Sequence, residues 1–221
     1  LKIDKDLLDE VWTDRPALVH QPANVLKDEF NGEATASKLA RVREQMEKEE
    51  AQYHIISTLD DIAWILNVRG NDIPHVPVVL SFLVIGKEDA MWFVEENALS
   101  DAVKEMAAEC GITIRPYEDV YAYAATIPEH SSVLLDKRKV NYRITNALSE
   151  TVHIVSKANP SQLMKAIKNE IELENTRKAH LLDGIAVTKF MYWLKKNVGK
   201  IPMDEVSVSD YLQSLREQME G

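Results

Sequence analysis

What most constrains this chain is the point at which its strand signals stop. Between residues 52 and 156 short apolar runs alternate with helical stretches, and beyond Asn159 and Pro160 no strand signal recurs. Residues 52–57 read as a strand built on Ile55 and Ile56, and 59–67 as a helix opened by Thr58. The apolar runs 76–85 and 90–94, joined by the turn GKED, carry a hairpin signature. A helix over 100–110 places Val103, Met106 and Ala107 on one side, with Gly111 as its C-terminal cap. Strands over 112–117, 132–135 and 152–156, with helices over 118–125 and 141–148, complete the alternation. Ahead of it, Ser37 reads as the N-cap of a helix carrying Leu39, Val42 and Met46 and ending near Glu50. This order predicts an α/β fold with a mixed sheet, one hairpin plus βα units, and helices on its faces.

The remainder is purely helical. Residues 161–168 form one stretch and 170–197 a long one, on which Ala179, Leu182, Ala186, Phe190, Trp193 and Leu194 recur at helical spacing. Asp204 caps a last helix carrying Val208, Tyr211, Leu212 and Leu215. About 60 residues of amphipathic helix with no sheet to cover them make a poor core alone, so the expectation is that a second domain opens here and the chain stops early. Residues 1–31, with Pro16 and Pro22, read as an extended connector, and the absence of an initiator Met implies a chain that begins mid-protein or has been trimmed. The expected organisation is a linker over 1–31, an α/β domain over 32–158 and opening helices of another domain over 159–221.

Composition narrows the function classes. A formal net charge of -10 without a basic stripe argues against a nucleic-acid surface. The lone Cys110 forbids an internal disulfide and fits a reducing cytosol; at the end of a helical pattern it reads as a small buried hydrophobe. No run approaches the ~18 apolar residues of a membrane span.

No complete catalytic or metal-binding constellation is legible. The chain has no Gly-rich phosphate loop, no H-E-x-x-H and no G-x-S-x-G. Its six histidines stand apart from one another at no ligand spacing, with His54 and His153 in strands and His180 on the long helix. Asp60 and Asp61 occupy a first helical turn, where dipole compensation and capping account for them. One loop stands out: NVRGNDIPHVP, residues 67–77, sets Arg69, Asp72 and His75 within seven positions between a helix end and a strand. As a substrate-entrance loop it offers an Arg able to reach a carboxylate or a neighbouring domain. As a plain connection it needs Gly70 at positive φ with Asp72 capping the turn.

Three stretches in order resemble one family: WTDRP (12–16), LDDIAWILNVRGNDIPHVPVVLSFLVI (59–85) and LMKAIKNEIELENTRKAHLLDGIAVTKFMYWL (163–194). They are similar to three-domain Xaa-Pro aminopeptidases (aminopeptidase P), and the third stretch resembles the wider creatinase, prolidase and methionine aminopeptidase superfamily. The stretch DEFNGEATA departs from the family's usual turn. The resemblance implies a middle domain of the creatinase/prolidase N-terminal type, followed by the first helices of a pita-bread catalytic domain. It also implies a parent that releases the N-terminal residue from peptides with proline second, using two divalent metals, commonly Mn²⁺. In the family the metals are held by two Asp, one His and two Glu, all beyond Gly221. No metal ligand or catalytic residue is therefore carried over, and the piece alone is expected to be inactive. The implied partners are proline-containing peptides, with neither nucleic acid nor membrane, in a cytoplasmic homodimer. An alternative is a chaperone-like protein that keeps the aminopeptidase shape, lacks the metals and binds peptides.

Overall fold

The alternating segments close into one six-stranded sheet. The computed structural model describes residues 7–16, 18 and 20–219, so the expectations for 1–6, 17, 19, 220 and 221 lie outside the described residues. In chain order the elements are α1 (Leu7–Val11), β1 (Asn24–Val25), α2 (Asp28–Asn31), α3 (Thr35–Lys48), β2 (Tyr53–Ile56), α4 (Leu59–Ile65), β3 (Val68–Arg69), β4 (Ser81–Ile85) and β5 (Ala90–Val94). Then follow α5 (Asp101–Glu109), β6 (Ile112–Arg115), α6 (Asp119–Ala125), β7 (Ser132–Leu135), α7 (Tyr142–Ala147), β8 (His153–Ser156), α8 (Pro160–Ala166), α9 (Glu170–Asn197) and α10 (Glu205–Arg216).

The sheet runs β6-β5-β4-β2-β7-β8, and β1 pairs with β3 in a separate ribbon. The pairs β5–β6, β2–β7 and β7–β8 are parallel, whereas β4 is antiparallel to both of its neighbours. The mixed α/β sheet read from the sequence is therefore present, with the hairpin at β4–β5. Each face of the sheet carries its own core. Ile56, Leu83, Ile85, Trp92 and Leu134 pack with Leu39 and Met46 of α3, Ile62 and Ile65 of α4 and Val103 of α5. On the other face Ile55, Val84, Phe93 and Val133 meet Val120 and Ala124 of α6 and Ile144 of α7. Adjacent residues of one strand thus enter opposite cores, as the period of two requires.

The chain divides into two compact units, residues 1–26 with 34–165, and residues 27–33 with 166–221. In the second, α10 packs on α9 through Trp193 and Tyr211, whose rings stack with centroids 4.0 Å apart. Asn169 and Asp204 each close a capping box at the starts of α9 and α10. The turn of α2 is clasped onto the same helix. Asn169 Nδ2 donates to Asn31 O (2.8 Å), Asn175 Nδ2 donates to Glu29 O (2.8 Å), and Gly32 takes φ 64°. A Cβ on Gly32 would stand 2.7 Å from Asn169 Oδ1, so both backbone and space demand glycine.

Four local expectations need correction. Residues 1–31 are not an extended connector throughout, since they carry α1, β1 and α2. α3 begins at Thr35 with Ala34 as N-cap, not after Ser37. The strand expected from residue 76 starts at Ser81. Gly70 does not have positive φ; that conformation falls on Asn67 (52°) and His75 (64°). Gly70 is required by close approach instead, since a Cβ there would lie 2.7 Å from Val79 Cγ2 and 3.1 Å from Val78 O.

Candidate functional site

Because β4 alone is reversed, the loop over residues 67–77 reaches the sheet at the edge where the other five strands end. That edge is where α/β sheets ordinarily present binding residues. The loop's backbone is held from outside. Asp72 has a fully buried side chain; its Oδ1 accepts from Gln21 N (2.6 Å) and its Oδ2 from Leu80 N (2.8 Å). His20 lies against the same carboxylate, Nδ1 to Oδ2 3.6 Å, with its ring beside Tyr117. Arg69 turns back toward α4, where Nη1 donates to Ala63 O (2.7 Å) and Val68 O (3.0 Å). His75 is exposed at the tip, inside the narrow bridge between Ile73 and Val76. The structure thus sends the three side chains to different places: one onto a helix end, one between two backbone segments and one to solvent.

Arg69 belongs to a larger arrangement around the end of α4. Lys38, 1% exposed, donates Nζ to Trp64 O (3.0 Å) and Asn67 Oδ1 (2.6 Å), and its ammonium lies 4.4 Å from the Trp64 ring centroid. Thr35 Oγ1 donates to Leu66 O (3.0 Å), and Leu26 N donates to Asn67 O (2.6 Å). Carbonyls left over at a helix C-terminus attract cations and donors, and here α3 and the β1 segment supply them. Lys38 was not singled out from the sequence. Its one signal is register, since it precedes Val42 by four and so falls within the apolar stripe of α3.

The N-terminal end of α4 holds a second polar cluster. Asp61 is 0% exposed and accepts from Thr58 Oγ1 (2.5 Å), Asn159 Nδ2 (3.1 Å) and Lys165 Nζ (3.1 Å). Thr58 stands at the N-cap as expected, but its hydroxyl turns to Asp61 instead of the helix backbone. Lys165 also pairs with Asp60. Burial opposes the Asp60 charge, and the adjacent Lys165 ammonium overcomes it, holding that carboxyl below the usual range. Beneath this cluster His54 is fully buried on β2, its Nδ1 2.9 Å from Leu134 O. Burial pushes its pKa down to about 4, despite the Leu134 carbonyl and the Asp61 charge, which act the other way. Dipole compensation thus describes Asp60 and Asp61 incompletely, because Asp61 is a buried hub with partners about a hundred positions away.

At the far end of α3 a cleft of about 800 Å³ is lined by Met46, Ala51, Glu44, Glu47, Glu50 and Lys87 among others. Arg43 beside it is tied to Gly86 O (3.1 Å) and Asp89 O (2.9 Å). Among the described residues no three His, Cys, Asp or Glu side chains come together in a way that would hold a metal ion. Cys110 is half-buried, and burial raises its thiol pKa. Among the described residues no helix is long and apolar enough to cross a membrane.

The Creatinase/Prolidase N-terminal domain family matches residues 14–172. A relative from Neurospora crassa, named Probable Xaa-Pro aminopeptidase P, is 35% identical across 98% of this chain and 33% of its own length. Xaa-Pro aminopeptidase 1 of Dictyostelium discoideum is 34% identical across 100% of this chain and 36% of its own. The chain therefore spans about a third of the length of the curated relatives it matches. Among solved structures, the X-prolyl aminopeptidase of Caenorhabditis elegans, described as a cytosolic enzyme with a di-nuclear active site, is similar over 100% of this chain and 37% of its own. The TM-score is 0.89 at 29% identity. The Xaa-Pro dipeptidase of Bacillus anthracis shares the fold at a TM-score of 0.61 and 12% identity, over 83% of this chain and 49% of its own.

Proposed function

Given that the chain belongs to the creatinase/prolidase N-terminal domain family, we propose that it forms the middle α/β domain and the opening helices of the catalytic domain in an Xaa-Pro aminopeptidase. The whole protein would remove the N-terminal residue from peptides with proline in second position. The observation that carries this reading is the likeness to the Caenorhabditis elegans X-prolyl aminopeptidase, which extends through the α/β unit and the helical unit alike. The relatives from Neurospora crassa and Dictyostelium discoideum support it over nearly the same span.

In this reading the whole protein would hold two divalent metals, Mn²⁺ by preference, which would serve to activate water for attack on the peptide bond. The described residues do not fit such a pair: they bring no three ligating groups together, and buried Asp61 is occupied by Thr58, Asn159 and Lys165. The metal-bearing residues would lie outside this stretch, which alone would be inactive. What the stretch contributes is a wall. The clamped loop over residues 67–77 would border the substrate entrance, with Arg69 held at its start and His75 exposed at its tip. The cytosolic setting of the Caenorhabditis elegans enzyme and the lone half-buried Cys110 support a cytoplasmic protein, and a homodimer is the assembly we propose.

The test is peptide cleavage. The full-length protein should release the first residue of an Arg-Pro-Pro peptide with Mn²⁺ and lose that activity to a chelator, while the present chain shows no turnover. Peptide binding by the full-length protein without cleavage would overturn the enzyme reading in favour of a chaperone-like one. Arg69→Ala in the full-length protein should lower kcat/KM; unchanged kinetics would leave the loop a purely architectural role.

A further inference from the structure

Near the junction of α4 and α8 the α/β unit holds three buried polar atoms that have no partner among the described protein groups. They are His54 Nε2, Asn159 Oδ1 and Ser161 Oγ, on residues 0%, 3% and 0% exposed. A buried polar atom left unsatisfied costs about 1–3 kcal/mol, and native proteins leave few of them. Two of the three are tied to Asp61, and the third follows Asn159 by two residues. His54 shares its sheet face with Ile56, the face covered by α4, and it feels the charge of Asp61 on that helix. Asn159 hydrogen-bonds the same Asp61, and Ser161 stands two residues further on, in the first turn of α8.

The orientations of His54 and Asn159 are determined by their other contacts. The partner of His54 Nδ1 is a carbonyl, which can only accept, so Nδ1 carries the proton and Nε2 presents a bare lone pair. The amide of Asn159 turns its Nδ2 to Thr58 Oγ1 (2.9 Å) and Asp61 Oδ2 (3.1 Å), an arrangement a flip would replace with oxygen against carboxylate. Oδ1 is therefore an acceptor facing away from Asp61. Ser161 brings a hydroxyl that can donate. Two acceptors and one donor call for a ligand with two protons to give and a lone pair to receive one.

We propose that the α/β unit binds a structural water at the seat of α8, donating to His54 Nε2 and Asn159 Oδ1 and accepting from Ser161 Oγ. A buried water with about three hydrogen bonds is the ordinary occupant of such a site. A bound metal cation is disfavoured because Lys165 already supplies the positive charge that Asp60 and Asp61 attract. The depressed His54 pKa is consistent with the assignment, since a neutral ring keeps Nε2 an acceptor. The water would join the central strand to α8 through polar contacts and so set the angle at which that helix leaves the sheet.

A crystal structure of the present chain, at a resolution that orders internal waters, tests this directly. The expected result is a water about 2.7–3.2 Å from His54 Nε2 that also reaches Asn159 Oδ1 or Ser161 Oγ. Clear density for the side chains with nothing at Nε2, or a water there touching neither of the others, would overturn it. In solution, magnetic relaxation dispersion should lose the contribution of one long-lived water in Ser161→Val, where a methyl takes the hydroxyl's place. An unchanged amplitude in the folded variant would equally overturn it; if that variant does not fold, the crystal result on the unaltered chain decides.

Discussion

In the α/β unit the polar groups that matter find partners far along the chain, whereas in the helical unit they find them within a turn. Lys38 reaches Trp64 and Asn67 across 26 and 29 positions, and Asp61 reaches Asn159 and Lys165 across 98 and 104. Asn169 and Glu172 cap each other three residues apart, and Asp204 and Ser207 do the same. The exceptions in the helical unit are the clasp of α2 onto α9, made by Asn169 and Asn175, and the Arg216–Asp183 pair across 33 positions. Burial follows the same division. The sheet has a core on each face, while along the 28 residues of α9 Ala186 is the fully covered one among the described residues. Tertiary contacts thus specify the first unit, and caps with helix propensity largely specify the second.

Substitutions sharpen that contrast. Asp61→Ala removes the acceptor of Thr58, Asn159 and Lys165 together, and should cost about 3–5 kcal/mol, as for breaking a buried pair. Urea unfolding followed by near-UV circular dichroism would measure it; a loss below about 1 kcal/mol would show that the network is replaceable.

Acid should act on the same unit. The folded pKa of His54 is about 4, below the 6.5 of the unfolded residue, so the unfolded chain takes up the proton first. Stability due to this group is then fully present above pH 6.5 and falls as pH drops toward 4, by about 3 kcal/mol in all. Unfolding midpoints across that window in the parent and in His54→Gln would show it as the slope that the variant lacks.

Effects in the helical unit should be smaller and confined to it. Gly32→Ala meets both positive φ and the Asn169 side chain and should cost about 1–2 kcal/mol, seen as faster amide exchange in α2 and the start of α9. Asn169→Ala, which removes a cap, should cost about 1 kcal/mol in the same measurement. Equal slowing or quickening across the sheet in either variant would break the comparison.

The same division explains what could be read from the sequence. Strand and helix periods are local, so β7 over Ser132–Leu135 and α9 over Glu170–Asn197 fall where their patterns place them. Asn141, Asn169 and Asp204 all serve as side-chain caps because each bonds a backbone amide three residues on. What escaped depends on distant neighbours. Thr58 looks like an ordinary cap until Asp61 competes for its hydroxyl, and Gly70 looks like a turn glycine until Val79 is packed beside it. At the loop over residues 67–77 spacing alone singles out Arg69, Asp72 and His75, but the partners of Asp72 lie at Gln21 and Leu80. The tie to Gln21 spans 51 positions, beyond what spacing can show.

The Asp72 carboxylate also has an entropic side. It closes two rings at once, one of 51 positions back to Gln21 and one of eight forward to Leu80. Closing the larger ring costs about 1.6 kcal/mol more chain entropy than the smaller, so most of the ordering that this one carboxylate imposes falls on the segment at Gln21.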